Sequence, residues 1–110
     1  MDINKIVKYL KLSKPFSIEL KSKKHKKAIA HYWGMYTEKN KLHSHLIWVY
    51  LRNMGDNERK LETLIAHELI HAWQEENGYK DVHGTSFQMM AANILHEFKI
   101  PDIYLPDTDK

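Results

Sequence analysis

Between positions 3 and 10 the apolar residues Ile3, Ile6, Val7 and Leu10 follow i, i+3, i+4, i+7 spacing, with Lys5, Lys8 and Lys11 facing away. This predicts an amphipathic helix over 3–12, with Asp2 as its cap. The period then changes. Lys14 precedes Pro15 and is pushed towards extended backbone, and "FSIEL" at 16–20 alternates apolar and polar like a half-buried strand. After the polar connection "KSKKHKK", two runs rich in aromatic and branched residues, "AIAHYWGMY" at 28–36 and "LHSHLIWVY" at 42–50, flank the turn-like "TEKNK". They predict a hairpin. With the first strand it would form a three-stranded antiparallel sheet covered on one face by helices, an α+β arrangement.

From Asp56 the period is helical again. Leu61, Leu64, Ile65, Leu69 and Ala72 are available for a core, and Gly78 is placed to end the helix. A last helix is expected from Thr85, where Thr85 and Gln88 fit a capping box, burying Phe87, Met90, Ala91, Ile94, Leu95 and Phe98 before Pro101. The polar stretch 102–110 is expected to be a loosely held tail.

A chain of 110 residues suits one domain with one modest core, so 1–110 is read as a single unit. No stretch approaches the ~20 consecutive apolar residues of a membrane span, and lysines interrupt the N-terminus too often for a secretory signal. The cytoplasm is the expected compartment. The chain has no cysteine, which excludes disulfides, thiolate catalysis and every sulfur-ligated zinc site. Any metal must be held by histidine or carboxylate.

"LIAHELIHAW" at 64–73 supplies such ligands. Residues four apart on a helix differ by roughly 400° in direction, so His67 and His71 project from nearly one angle, about 6 Å apart. Glu68, turned by roughly 100° from His67, falls beside an ion held there, where a general base for water belongs. In a shuffled chain of this composition His-Glu-x-x-His is expected about 0.04 times, so chance is disfavoured. A catalytic zinc takes three protein ligands and leaves one position for water. Glu75 lies too far along the helix, and the metzincin extension is absent because Gln74 and Asn77 stand where glycine and histidine are required. His83, which the break at Gly78 lets the chain return to the helix, is the preferred third ligand. Asp81 and Glu97 remain carboxylate alternatives.

"TLIAHELIHAW" followed by "HGTSF" resembles the SprT-like metallopeptidase domain, the group that includes Spartan. Its pattern is a His-Glu-x-x-His helix followed by His-Gly-x-x-Phe, matched here by His67, Glu68, His71, His83, Gly84 and Phe87. The likeness runs from about residue 28 to 98. It implies a compact zincin fold, one Zn²⁺ on His67, His71 and His83, Glu68 as the catalytic residue, and a protein or peptide substrate. Spartan-like members degrade proteins crosslinked to DNA, often with a cysteine-based zinc ribbon that this chain does not contain.

Charge adds a second candidate partner. Residues 1–27 hold nine lysines against Asp2 and Glu19, a local balance of +7. Lys21, Lys23, Lys24, Lys26 and Lys27 form its densest part and are candidate contacts for single-stranded DNA, with a solvated polar connection as the plainer reading. Rival readings of the whole chain are a non-catalytic module that keeps a structural metal, and a nucleic-acid-binding adaptor.

Overall fold

The computed structural model describes residues 3–22, 29–54 and 61–105. Its order is α1 (Ile3–Leu10), β1 (Phe16–Lys21), β2 (Ala30–Tyr36), β3 (Leu42–Tyr50), a 3-10 turn at Leu51–Met54, α2 (Leu61–Asn77) and α3 (Thr85–Phe98). The chain is α+β, as expected, with three helices and one three-stranded sheet. The proposed Asp2 cap and the start of α2 at Asp56 lie outside the described residues. α1 stops two residues earlier than its periodicity suggested, because Lys11 turns to φ 55° and Leu12 N–H reaches back to the Val7 carbonyl.

The sheet corrects the expectation of an all-antiparallel arrangement. β2 and β3 form the predicted antiparallel hairpin, closed where Thr37 N–H bonds the Lys41 carbonyl at 2.8 Å and Asn40 takes φ 59°. β1, however, pairs parallel to β3, from Phe16 opposite His45 to Lys21 opposite Tyr50, giving the order β1-β3-β2. The sheet is therefore mixed, and β3 is central. Alternation along a strand fixes which residues face inward, but it carries no information on which side of the hairpin a third strand joins.

α2 packs on β2, β3, α1 and α3. Enclosure on so many sides buries every residue from Thr63 to Ile70, His67 and Glu68 included. Its end is a Schellman turn: Gly78 takes φ 76°, a conformation glycine adopts without strain, and Tyr79 N–H returns to the Gln74 carbonyl at 3.0 Å. α3 adds Phe87, Ala91 and Ile94 to the core, while Leu95, expected inside, faces out at 46% exposure.

α3 does not begin with the predicted capping box. Gly84 precedes it, and the Asp81 carboxylate caps it instead, accepting the Ser86 N–H at 2.6 Å and the Ser86 hydroxyl. The expected loose tail is also corrected over 102–105. Ile100 and Ile103 are core residues, Ile103 only 1% exposed, so this segment folds back against the helices; 106–110 lie outside the described residues. Among the described residues no helix is long and apolar enough to cross a membrane.

Candidate metal centre

His67 and His71 stand one turn apart on α2, with ring centroids 5.0 Å apart. Each has its Nδ1 engaged away from the other ring. His67 Nδ1–H donates to the Ile103 carbonyl at 2.6 Å, and His71 Nδ1–H donates to Gln74 Oε1 at 2.9 Å. In both rings Nε2 then carries the lone pair, as a metal ligand requires. The outer partners are a backbone carbonyl and an amide.

His83 arrives from the loop between α2 and α3. Its Nε2 lies 3.3 Å from His67 Nε2, and one ligand atom from each of His67, His71 and His83 falls within 4.8 Å of the others. Nitrogens bound tetrahedrally to one ion at ~2.1 Å lie about 3.4 Å apart, so the spacing suits a shared metal. These three histidines could hold a metal ion. Phe87 packs against all three, its ring centroid 4.6, 5.0 and 5.1 Å from those of His67, His71 and His83.

The "HG" step of the loop has a steric reason. The Gly84 N–H bonds the Asp81 carbonyl, and a Cβ at position 84 would lie 2.8 Å from that oxygen and 2.9 Å from Asp81 Cβ. Only glycine fits this approach without displacing Asp81. The His83 carbonyl is held in turn by Gln88 Nε2 at 3.3 Å. The alternative third ligands are placed elsewhere: Ser86 hydrogen bonds hold the Asp81 carboxyl below its ordinary pKa and tie it to α3, while Glu97 is exposed three turns beyond Phe87.

Glu68 is 0% exposed and lines a cleft of about 320 Å³ together with His31, Tyr32, His71, Gln74, Glu75, Tyr79 and Val82. Glu68 and one member of the histidine cluster, His71, thus line the same concavity. Searches against protein-family models, curated proteins and solved structures gave no match. The site therefore stands on its own geometry and on the residues that resemble the SprT-like pattern.

Tyr32, on the wall of the cleft, belongs to a network that sequence reading missed. His45, 1% exposed, donates from Nε2 to Glu76 at 2.7 Å and accepts at Nδ1 from the Tyr32 hydroxyl at 2.7 Å. Glu76 also accepts the Ser13 and Lys14 N–H groups and the Ser13 hydroxyl, tying the approach to β1 onto α2. Burial raises the Glu76 carboxyl, but these hydrogen bonds outweigh it and its pKa lies below the ordinary value. Burial, with the nearby charges of Glu75 and Glu76, raises the Tyr32 phenol and keeps it protonated. The available signal was parity, since His45 falls on the inward face with Ile47 and Val49. The other missed residues differ: Gln74, three after His71, was findable on a helical wheel, whereas nothing local marked the Ile103 carbonyl.

Of the lysine cluster, only Lys21 is described. It pairs with Glu19 at 2.8 Å and lies 4.3 Å over the Trp48 ring. Lys23, Lys24, Lys26 and Lys27 lie outside the described residues.

Proposed function

We propose that this chain is a zinc-dependent endopeptidase of the SprT-like kind. The observation that carries the reading is the sharing of one cleft by the buried Glu68 carboxylate and His71 of the three-histidine cluster. A purely structural metal normally closes its fourth position and needs neither an open cleft nor an acid beside it. Zinc is the metal best matched to three imidazoles and an open position, and when bound it supplies Lewis-acid polarisation of a carbonyl and a lowered water pKa.

The chain's own groups would do the rest. Glu68 accepts a proton from water and delivers it to the departing amine. Two phenols line the cleft, and since the Tyr32 hydroxyl is given to His45, that of Tyr79 is the better placed to stabilise an oxyanion. β2 is an edge of the sheet, and its His31 and Tyr32 line the cleft, which suits an extended polypeptide laid along it. The test is zinc-loaded protein with an unstructured polypeptide: cleavage should appear and cease on chelation. One bound zinc per chain without any cleavage would leave the structural-metal reading in its place.

A second reading concerns single-stranded DNA. Trp33, 42% exposed, and Trp48 lie 5.4 Å apart on the sheet face opposite Ile47 and Val49, with Lys21 over Trp48. Aromatic rings beside cationic groups suit stacked bases and phosphates. Replacing Lys23, Lys24, Lys26 and Lys27 with serine should weaken binding to single-stranded DNA and flatten its salt dependence by about 0.7 in log-log slope per lost phosphate contact. Unchanged affinity at low salt would reduce the cluster to a solvated connection.

A further inference from the structure

We infer that Asp81, acting through Ser86 and Gln74, dictates which nitrogen of His71 faces the metal. The inference rests on the metal-centre reading but concerns residues outside the ligand set. Four side chains form an unbroken line from α2 to the loop that carries His83. His71 Nδ1 meets Gln74 Oε1 at 2.9 Å, Gln74 Nε2 meets Ser86 Oγ at 2.9 Å, and Ser86 Oγ meets Asp81 Oδ1. Gln74 is 4% exposed, so its amide is shielded from competing water.

The direction of every bond follows from the last one. An ionised carboxylate can only accept, so the single hydroxyl proton of Ser86 belongs to Asp81. Ser86 Oγ is then left to accept, which requires the NH₂ end of Gln74 to face it. That orientation turns the carbonyl end of the amide towards His71, where it can only accept, so Nδ1 must hold the imidazole proton. Nε2 is thereby left with its lone pair. A reversed amide would ask Ser86 for a second proton that it does not have. The carboxylate thus sets the tautomer of a ring three hydrogen bonds away.

The same carboxylate orders the other arm of the site. Asp81 Oδ2 accepts the Ser86 N–H at 2.6 Å, and the Asp81 carbonyl accepts the Gly84 N–H next to His83. One residue therefore both seats the His83 loop and polarises the chain to His71, joining the α2 ligands to the loop ligand. Gln74 and Ser86 are positioning residues, since neither belongs to the ligand set.

Ser86→Ala is the decisive variant, because it removes the hydroxyl from the relay while the backbone N–H cap on Asp81 remains. Nitrogen-15 NMR of the metal-free protein at pH 8 should show wild-type His71 as the Nδ1–H tautomer, Ser86→Ala as a mixture, and Ser86→Thr as wild type. Zinc affinity, measured by competition with a chelating dye, should fall about 10- to 100-fold in Ser86→Ala and recover in Ser86→Thr, the range typical of lost outer partners of metal ligands. A Ser86→Ala protein with wild-type tautomer and zinc affinity would overturn the relay while leaving the metal centre intact. If wild type shows the Nδ1–H tautomer and binds no metal, the metal reading fails and the relay stands as a structural network.

Discussion

Glu68→Gln is expected to keep the fold and one bound zinc while cutting turnover by about 10²- to 10⁴-fold, the usual contribution of a general base. Glutamine is nearly isosteric with glutamate, so a position that is 0% exposed on α2 accepts it without repacking. The amide can still hydrogen-bond to water, but it cannot take the proton that makes water a nucleophile. Because the ligand atoms that cluster are those of His67, His71 and His83 and not of Glu68, the change should touch rate far more than metal content. The measurement pairs kcat on an unstructured polypeptide with metal analysis of the same preparation. Near-normal turnover with full zinc would remove Glu68 from the mechanism, whereas loss of zinc would make it a ligand or its support.

The helical part of the site was legible because its information is local. Spacing alone puts His67 and His71 on one face of α2, and the Gly78 break foretells that the chain reverses and can bring His83 back. What could not be read depends on contacts distant in sequence. The parallel pairing of β1 with β3 joins strands far apart in sequence, and a parallel or an antiparallel partner would show the same alternation. Ile103 sits in a polar stretch between Asp102 and Tyr104, where a lone apolar residue carries no period, yet it is buried and its carbonyl fixes His67. Asp81 has the chemistry of a metal ligand and lies two residues before His83. The loop geometry gives its carboxylate to Ser86, where it caps α3 and replaces the Thr85 and Gln88 box. Local pattern therefore located the three clustered histidines, and non-local hydrogen bonds decide how they are held.

Removing the Phe87 ring should produce the largest stability loss of any single substitution near the site. Phe87 is 0% exposed and, among the described residues, is the one further side chain in ring contact with all three histidines, so it packs beside the cluster and belongs to the core that joins α2 to α3. Phe→Ala in a packed core costs about 3–5 kcal/mol, the lost transfer energy plus the cavity left behind. Against a total of about 5–15 kcal/mol for a natural domain, that is a large fraction. At roughly 4–8 °C per kcal/mol for a domain of this size, Tm should fall by at least ~12 °C. The cavity also lets the imidazoles relax from their shared geometry, so zinc should bind more weakly. Zinc at about 100 times its dissociation constant stabilises a folded protein by about 2.7 kcal/mol, so added metal should recover part of the lost Tm, and at a higher concentration than wild type needs. Phe87→Leu, which keeps most of the buried volume, should lose much less. Denaturant titration of the metal-free proteins gives the direct comparison: a Phe87→Ala chain within about 1 kcal/mol of wild type would mean that the ring does not hold the helices together, and that His67 and His71 are fixed by their Nδ1 hydrogen bonds instead.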